Sequence, residues 1–262
     1  MPLRVGMDLI RIDNKVALIT GAAAGIGAGI AELFSEAGAA VVVFDINGEG
    51  ARRRAQKLGQ SGRALAVPGD VSCEEDVKAA LDQTIREFGT LDILVNNAGI
   101  EVAGPMVEMT SSDWDRQLNV NLKSVFLFSK YAILHLRGHG GAIVNISSVH
   151  AFVSYEGNAA YDASKAGMIG LTRALALEHG RDGIRVNAIC PGYIDTPMMD
   201  EWLRVQPDAA EAMRQVLRIH PLGRIGTPRD VADAALFLAS DAASFISGTF
   251  LVVDGAMTSA GH

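Results

Sequence analysis

Tyr161-Asp162-Ala163-Ser164-Lys165 places a phenol and an ammonium four residues apart. On a helix both side chains leave the same face, about one turn from each other. A free phenol ionises near pH ~10. A lysine held beside it favours the phenolate and lowers that value. Such a pair can give or take a proton near neutral pH, which the interconversion of an alcohol and a carbonyl requires. The spacing is common, and without a hydride carrier nearby it describes only a half-buried tyrosine beside a solvated lysine.

The elements around the pair alternate. Short apolar runs at Val16–Ile19, Ala40–Phe44, Ala64–Val67, Leu91–Val95, Ala142–Ile146, Ile184–Ile189 and Phe250–Val253 read as buried strands. Between them fall helical patterns: one after Gly27, then Glu49–Leu58, a helix capped by Ser72 with Glu75 as a capping box, Ser112–Arg137, Asn158–Gly180 and Pro228–Ala239. Short helices are expected between Thr196 and Ile219. Continuous apolar strands alternating with helices predict a doubly wound parallel sheet, a three-layer α/β/α Rossmann fold. Residues 1–13 read as an N-terminal arm and 14–262 as a single dinucleotide-binding and catalytic domain. Ligands of such sheets bind at the carboxyl ends of the strands, where the polar residues of this chain gather.

One of those ends carries Thr20-Gly21-Ala22-Ala23-Ala24-Gly25-Ile26-Gly27, between the first strand and the first helix. Glycines there let the backbone turn tightly and approach a pyrophosphate, whose charge the helix N-terminus favours. Asp45 ends the second strand, 18 residues after Gly27. A carboxylate there accepts a ribose 2′-hydroxyl and repels a 2′-phosphate. Neither Ala24 nor Ile46 offers a positive charge, so the expected cofactor is NAD.

The glycine string, Asn96-Asn97-Ala98-Gly99, Ser148, Tyr161 with Lys165, and Pro191-Gly192 together resemble the short-chain dehydrogenase/reductase family, in its compact single-domain branch, over residues 14–256. The resemblance implies Tyr161 as catalytic acid/base, with Lys165 lowering its pKa and holding the nicotinamide ribose. It implies Ser148 as the partner of the substrate oxygen and Asn121 as the holder of a water behind the lysine; Asn119 is the alternative on the same helix. It implies that Asp70 and Val71 flank adenine, that Asn97, Ala98 and Gly99 line the cofactor cleft, and that Ile194 and Thr196 approach the carboxamide and phosphates. It also implies pairing of the two long helices across a homodimer or homotetramer. The tail from Val252 to His262 is a candidate contact with a neighbouring subunit; its bland alternative is a frayed end.

Position relative to Ser148 and Tyr161 nominates Glu101, His150, Ser154, Tyr155 and Glu156 for the substrate pocket, with Ser148 itself. Met198, Met199 and Trp202 are candidates for a lid. The polar character of this set tilts the expected substrate toward a sugar or polyol. A 3-oxoacyl thioester, a hydroxysteroid or a small ketone is the alternative. A non-catalytic NAD-binding sensor or scaffold would show a broken set of Asn121, Ser148, Tyr161 and Lys165, and all are present.

Bulk properties exclude other classes. The net charge of −7 over 262 residues argues against a nucleic-acid partner. Cys73 and Cys190 lack metal spacing and suggest a reducing compartment, so the expected location is cytoplasmic. Charges at Arg4, Asp8, Arg11 and Asp13 break any signal-peptide core, and no window suits a membrane span. His135, His139, His179, His220 and His262 lack metalloenzyme spacing, so no catalytic metal is expected.

Overall fold

A computed structural model of the protein describes residues 10–259. Most of the expected N-terminal arm, and the end of the tail including His262, lie outside the described residues.

Seven parallel strands form one sheet: β1 Val16–Thr20, β2 Ala40–Asp45, β3 Ala64–Pro68, β4 Ile93–Asn96, β5 Gly141–Ile146, β6 Ile184–Pro191 and β7 Phe250–Val253. Their order is β3-β2-β1-β4-β5-β6-β7. The chain reverses direction of travel between β1 and β4, which opens a crevice at the carboxyl ends of those two strands.

The side-chain alternation of a strand divides the core into two layers. Ala17, Ile19, Val41 and Val43 face one side. There they pack with Ile30, Leu33 and Phe34 of α1 (Gly25–Glu36), Ala51 and Leu58 of α2 (Gly48–Leu58), and Val231 and Leu238 of α9 (Pro228–Ala239). Leu18, Val42 and Phe44 face the other side, against Val77 and Leu81 of α3 (Glu74–Phe88) and Leu127, Phe128 and Ile133 of α5 (Ser124–Leu136). Burial on both faces is why these strands read as unbroken apolar runs. Helix α6 (Ala159–His179) carries the Tyr161–Lys165 pair. The segment after β6 forms α7 (Pro197–Arg204) and α8 (Ala209–Arg218).

Three local expectations need correction. The expected helix 112–137 is α4 (Ser111–Leu118), a π-helical turn Asn119–Lys123, and α5. A π turn inserts a residue's worth of extra winding and re-aims the side chains it carries. Ser72 does not cap α3: Cys73 holds the cap position without a side-chain bond to the helix backbone, and the Ser72 hydroxyl donates to Asp70 Oδ1 at 2.8 Å. Strand β4 starts at Ile93, and the carboxylate of the preceding Asp92 accepts from the Val16 N–H at 2.9 Å.

Candidate active site

The first βα turn leaves a helix end open. The Ala24 cap of α1 has no side-chain hydrogen bond, and the first turn carries no acid. Gly21 adopts φ +64°, and a Cβ on it would stand 2.9 Å from Ala98 Cα. A Cβ on Gly27 would fall inside the van der Waals shell of the Gly21 carbonyl. The loop is therefore closed against β4 by glycines and leaves unpaired N–H groups at the N-terminus of α1, a cradle for an anion. Thr20 stitches the two strand ends: its Oγ1 accepts from Asn97 N at 2.9 Å and Ala98 N at 3.0 Å. Asn97 Nδ2 returns bonds to the Thr20 and Gly21 carbonyls at 2.9 and 3.1 Å.

Asp45, at the end of β2, accepts from Ala23 N at 2.9 Å and Asn47 N at 2.8 Å. Those bonds fix the carboxylate over the glycine loop. Ile46 beside it is 76% exposed. Just after β3, the Asp70 N–H donates to the Asp76 carboxylate at 2.9 Å, and the Asp70 carboxylate accepts from Ser72 N at 2.8 Å.

Across the switch point, strands β5 and β6 and helix α6 present the second half of the site. Tyr161 and Lys165 are 8% and 3% exposed. Lys165 Nζ donates to the Ile146 carbonyl at 3.0 Å and lies 5.4 Å from the Tyr161 ring centroid. The Ser147 hydroxyl ties the Lys165 carbonyl at 2.9 Å, one turn of helix above it. Ser148 follows at the mouth of β5, where its Oγ accepts from His150 N at 3.2 Å.

The electrostatics differ from the expected depression of the tyrosine. Burial pushes the Tyr161 phenol above its ordinary value, and the nearby Glu101 charge adds to the rise; Ser148 works against it by hydrogen bonding. Burial also lowers Lys165 to about 8. Desolvation penalises the charged form of each group and is the leading cause of both shifts. Burial drives the nearby Cys190 thiol up to about 11, so it stands beside Lys165 as a neutral thiol at neutral pH.

Asn121, on the π turn, is fully buried. Its Oδ1 accepts from Ile100 N at 2.8 Å, and its Nδ2 donates to the Ile100 carbonyl at 2.9 Å and to Ser164 Oγ at 3.2 Å. Ser164 donates in turn to the Tyr161 carbonyl at 2.7 Å. The asparagine thus couples the end of β4 to the helix that carries the tyrosine.

All these groups meet in one cleft of about 1240 Å³. That is room for a dinucleotide with a small molecule beside it. The lining includes the expected Gly21, Ala24, Gly25 and Ile26; Asp45, Ile46, Asp70 and Val71; Asn97, Ala98 and Gly99; and Pro191, Gly192, Ile194 and Thr196. Ser148, Tyr161 and Lys165 close its inner end, with Glu101, His150, Tyr155, Glu156, Met198, Met199 and Trp202 around them. Gly27 and Asn121 do not line it: both stand one layer behind, packed against groups that do. Ser154 is exposed and outside the lining.

A model of the family described as enoyl-(acyl carrier protein) reductase matches residues 21–258. The chain is 46% identical over 248 residues to cis-4-hydroxycyclohexanecarboxylate dehydrogenase of Sinomonas cyclohexanicum, covering 94% of this chain and 97% of that one. It is 42% identical over 259 residues to D-threitol dehydrogenase of Mycolicibacterium smegmatis, covering 98% and 97%. A short-chain type dehydrogenase/reductase from Mycobacterium marinum superposes with a TM-score of 0.90 at 34% identity, over 96% of this chain and 98% of the other. The chain belongs to the short-chain dehydrogenase/reductase family.

As a short-chain dehydrogenase/reductase the protein is an oxidoreductase that works with a nicotinamide cofactor. The open end of α1, the glycine cradle and the carboxylate of Asp45 fit a dinucleotide. Several residues of this site escape sequence reasoning. Asp162 accepts from or shares a proton with His150 Nδ1 at 2.6 Å. Gln117, fully buried, accepts from Val102 N at 2.6 Å. Tyr193 lines the cleft and packs on Trp202 at 5.8 Å. Asp162 could have been suspected as the residue beside Tyr161; nothing local marks Gln117 or Tyr193. Among the described residues no three His, Cys, Asp or Glu side chains group as metal ligands, and no helix is long and apolar enough to cross a membrane.

Proposed function

We propose that this short-chain dehydrogenase/reductase interconverts a secondary alcohol and a ketone with NAD. The observation that carries the reading is the convergence of Ser148, Tyr161 and Lys165 on the inner end of a cleft whose outer end is the open N-terminus of α1. The nicotinamide, when bound, supplies the two-electron chemistry and, in its oxidised form, a positive charge. Tyr161 holds the proton that leaves or joins the substrate oxygen, and Ser148 Oγ shares that oxygen by hydrogen bonding. Lys165, fixed on the Ile146 carbonyl, brings a cation beside the phenol, where it favours the phenolate when the proton is given up. Asn121 keeps β4 and α6 in register around them.

Asp45 supports NAD over NADP. A 2′-phosphate would stand against its carboxylate, and the only Arg or Lys side chains among the described lining residues are Arg116 and Lys165, neither on β2. Relatives named as dehydrogenases of a hydroxycyclohexanecarboxylate and of D-threitol support an alcohol substrate, and the polar inner wall favours a sugar or polyol. An apolar groove along Leu118, Leu122, Phe126 and Leu171, floored by Gly167 and Gly170, supports pairing of α4–α5 and α6 across a homodimer or homotetramer. The two free thiols, Cys73 and Cys190, support a cytoplasmic location. Following the absorbance of NADH over a panel of polyols, cyclic alcohols, hydroxy acids and steroids tests the reading. Preference for NADPH across the panel would overturn the cofactor, and no turnover of any alcohol or of the matching ketones would overturn the reaction.

A further inference from the structure

Two polar side chains face the inner end of the cleft beyond Ser148, Tyr161 and Lys165. The first is Glu101, whose carboxylate makes no hydrogen bond or ion pair with another described residue. Its backbone is held from both sides. Asn121 binds both the N–H and the carbonyl of Ile100, and Gln117 binds the N–H of Val102. Gln117 and Asn121 stand four residues apart, and both are fully buried. A carboxylate whose neighbours are clamped in this way loses its freedom on folding, not on binding, and so is preorganised for a ligand.

The second is His150. Asp162 fixes its Nδ1 at 2.6 Å, and the ring stands edge-on to Tyr161 at 5.1 Å and tilted against Tyr155 at 4.9 Å. Its Nε2 makes no hydrogen bond to another described residue, and the side chain lines the cleft. Burial raises the Glu101 carboxyl above its ordinary range while His150 opposes the rise, so the two groups feel each other across the same space.

Resting on the alcohol–ketone reading above, we infer that Glu101 and His150 form a subsite that reads a second hydroxyl beside the reacting carbinol, favouring vicinal diols and polyols over simple alcohols and over carboxylates. One hydroxyl donates to Glu101, and His150 Nε2 is left to the same or a neighbouring hydroxyl. A carboxylate cannot donate and is repelled by Glu101, with Glu156 also in the wall. Gln117 is a positioning residue: it acts on the substrate through the 100–102 segment.

The test compares kcat/KM with NAD for cyclohexanol and its 2-hydroxy and 2-carboxylate derivatives. A hydrogen bond to a charged group predicts that the diol exceeds cyclohexanol by about 10-fold or more. Glu101→Gln is expected to lower the diol-to-cyclohexanol ratio by about 10-fold, chiefly through KM. Gln117→Leu lowers the same ratio with Glu101 intact, which a purely structural role would not do. Calorimetric titration of the diol into the enzyme–NAD complex reads the subsite without turnover, and Glu101→Gln is expected to weaken that binding by a similar factor. An unchanged ratio and unchanged diol affinity in Glu101→Gln, or a preference for the carboxylate, overturns the subsite. Turnover of cyclohexanol without a diol preference overturns the subsite alone; failure of every alcohol in the wider panel overturns the parent reading.

Discussion

Lys165 Nζ sits 3.0 Å from the Ile146 carbonyl and 5.4 Å from the centre of the Tyr161 ring, so one buried ammonium is shared between a strand end and a phenol. Its burial lowers the lysine to about 8, below the unfolded value. The unfolded chain then holds more protons than the folded one between about pH 8 and the unfolded lysine pKa of ~10.4. Stability from this group therefore rises with pH across that window. Lys165→Met removes the effect. Melting temperatures from pH 7.5 to 9.5 are expected to rise relative to the variant's; parallel curves would show that the buried lysine is not desolvated as described.

Tyr161→Phe keeps the ring that packs against His150 and removes only the hydroxyl. Loss of a positioned acid/base predicts a fall in kcat of about 10²–10⁴-fold. NAD affinity, measured by calorimetry, is expected to stay within about 3-fold, since the hydroxyl contributes little uniform binding. Retained turnover would remove Tyr161 from the proton-carrying role.

Asp45 combines two tasks. Asp45→Asn retains an acceptor for Ala23 N or Asn47 N but removes the charge. The kcat/KM ratio of NADP to NAD is expected to rise by about 10-fold or more, because like charges face each other only in the unmodified protein. Asp45→Ala additionally orphans two backbone N–H groups and is expected to cost about 1–3 kcal/mol of stability. A denaturation curve separates that loss from the cofactor switch.

Gly27→Ala tests the cradle. Its Cβ would collide with the Gly21 carbonyl, so the loop must open or α1 must shift. The expected result is a destabilisation of about 1–3 kcal/mol from overpacking, read by urea unfolding, together with weaker NAD binding. Wild-type stability and affinity would show that the loop tolerates side chains there.

The sheet, its helices and the glycine-rich loop were legible in the sequence because they rest on short-range signals. Apolar runs mark strands buried on both faces, and glycines mark a turn that side chains would block. Asp45 declared itself by its place at a strand end, and the Tyr161–Lys165 spacing by one turn of helix. What tertiary structure decided involves groups distant in sequence or a change of solvent. The π turn at Asn119–Lys123 turns Asn121 onto Ile100, and no local periodicity announces an extra residue in a turn. Gln117 became a clamp only when α4 met the end of β4. The Tyr161 phenol was expected to fall beside its lysine and instead rises, because a pairing read along a helix carries no account of the water that folding removes. Spacing alone made the pair; burial set its acidity, and the walls brought in from Glu101 and His150 shaped the space that it serves.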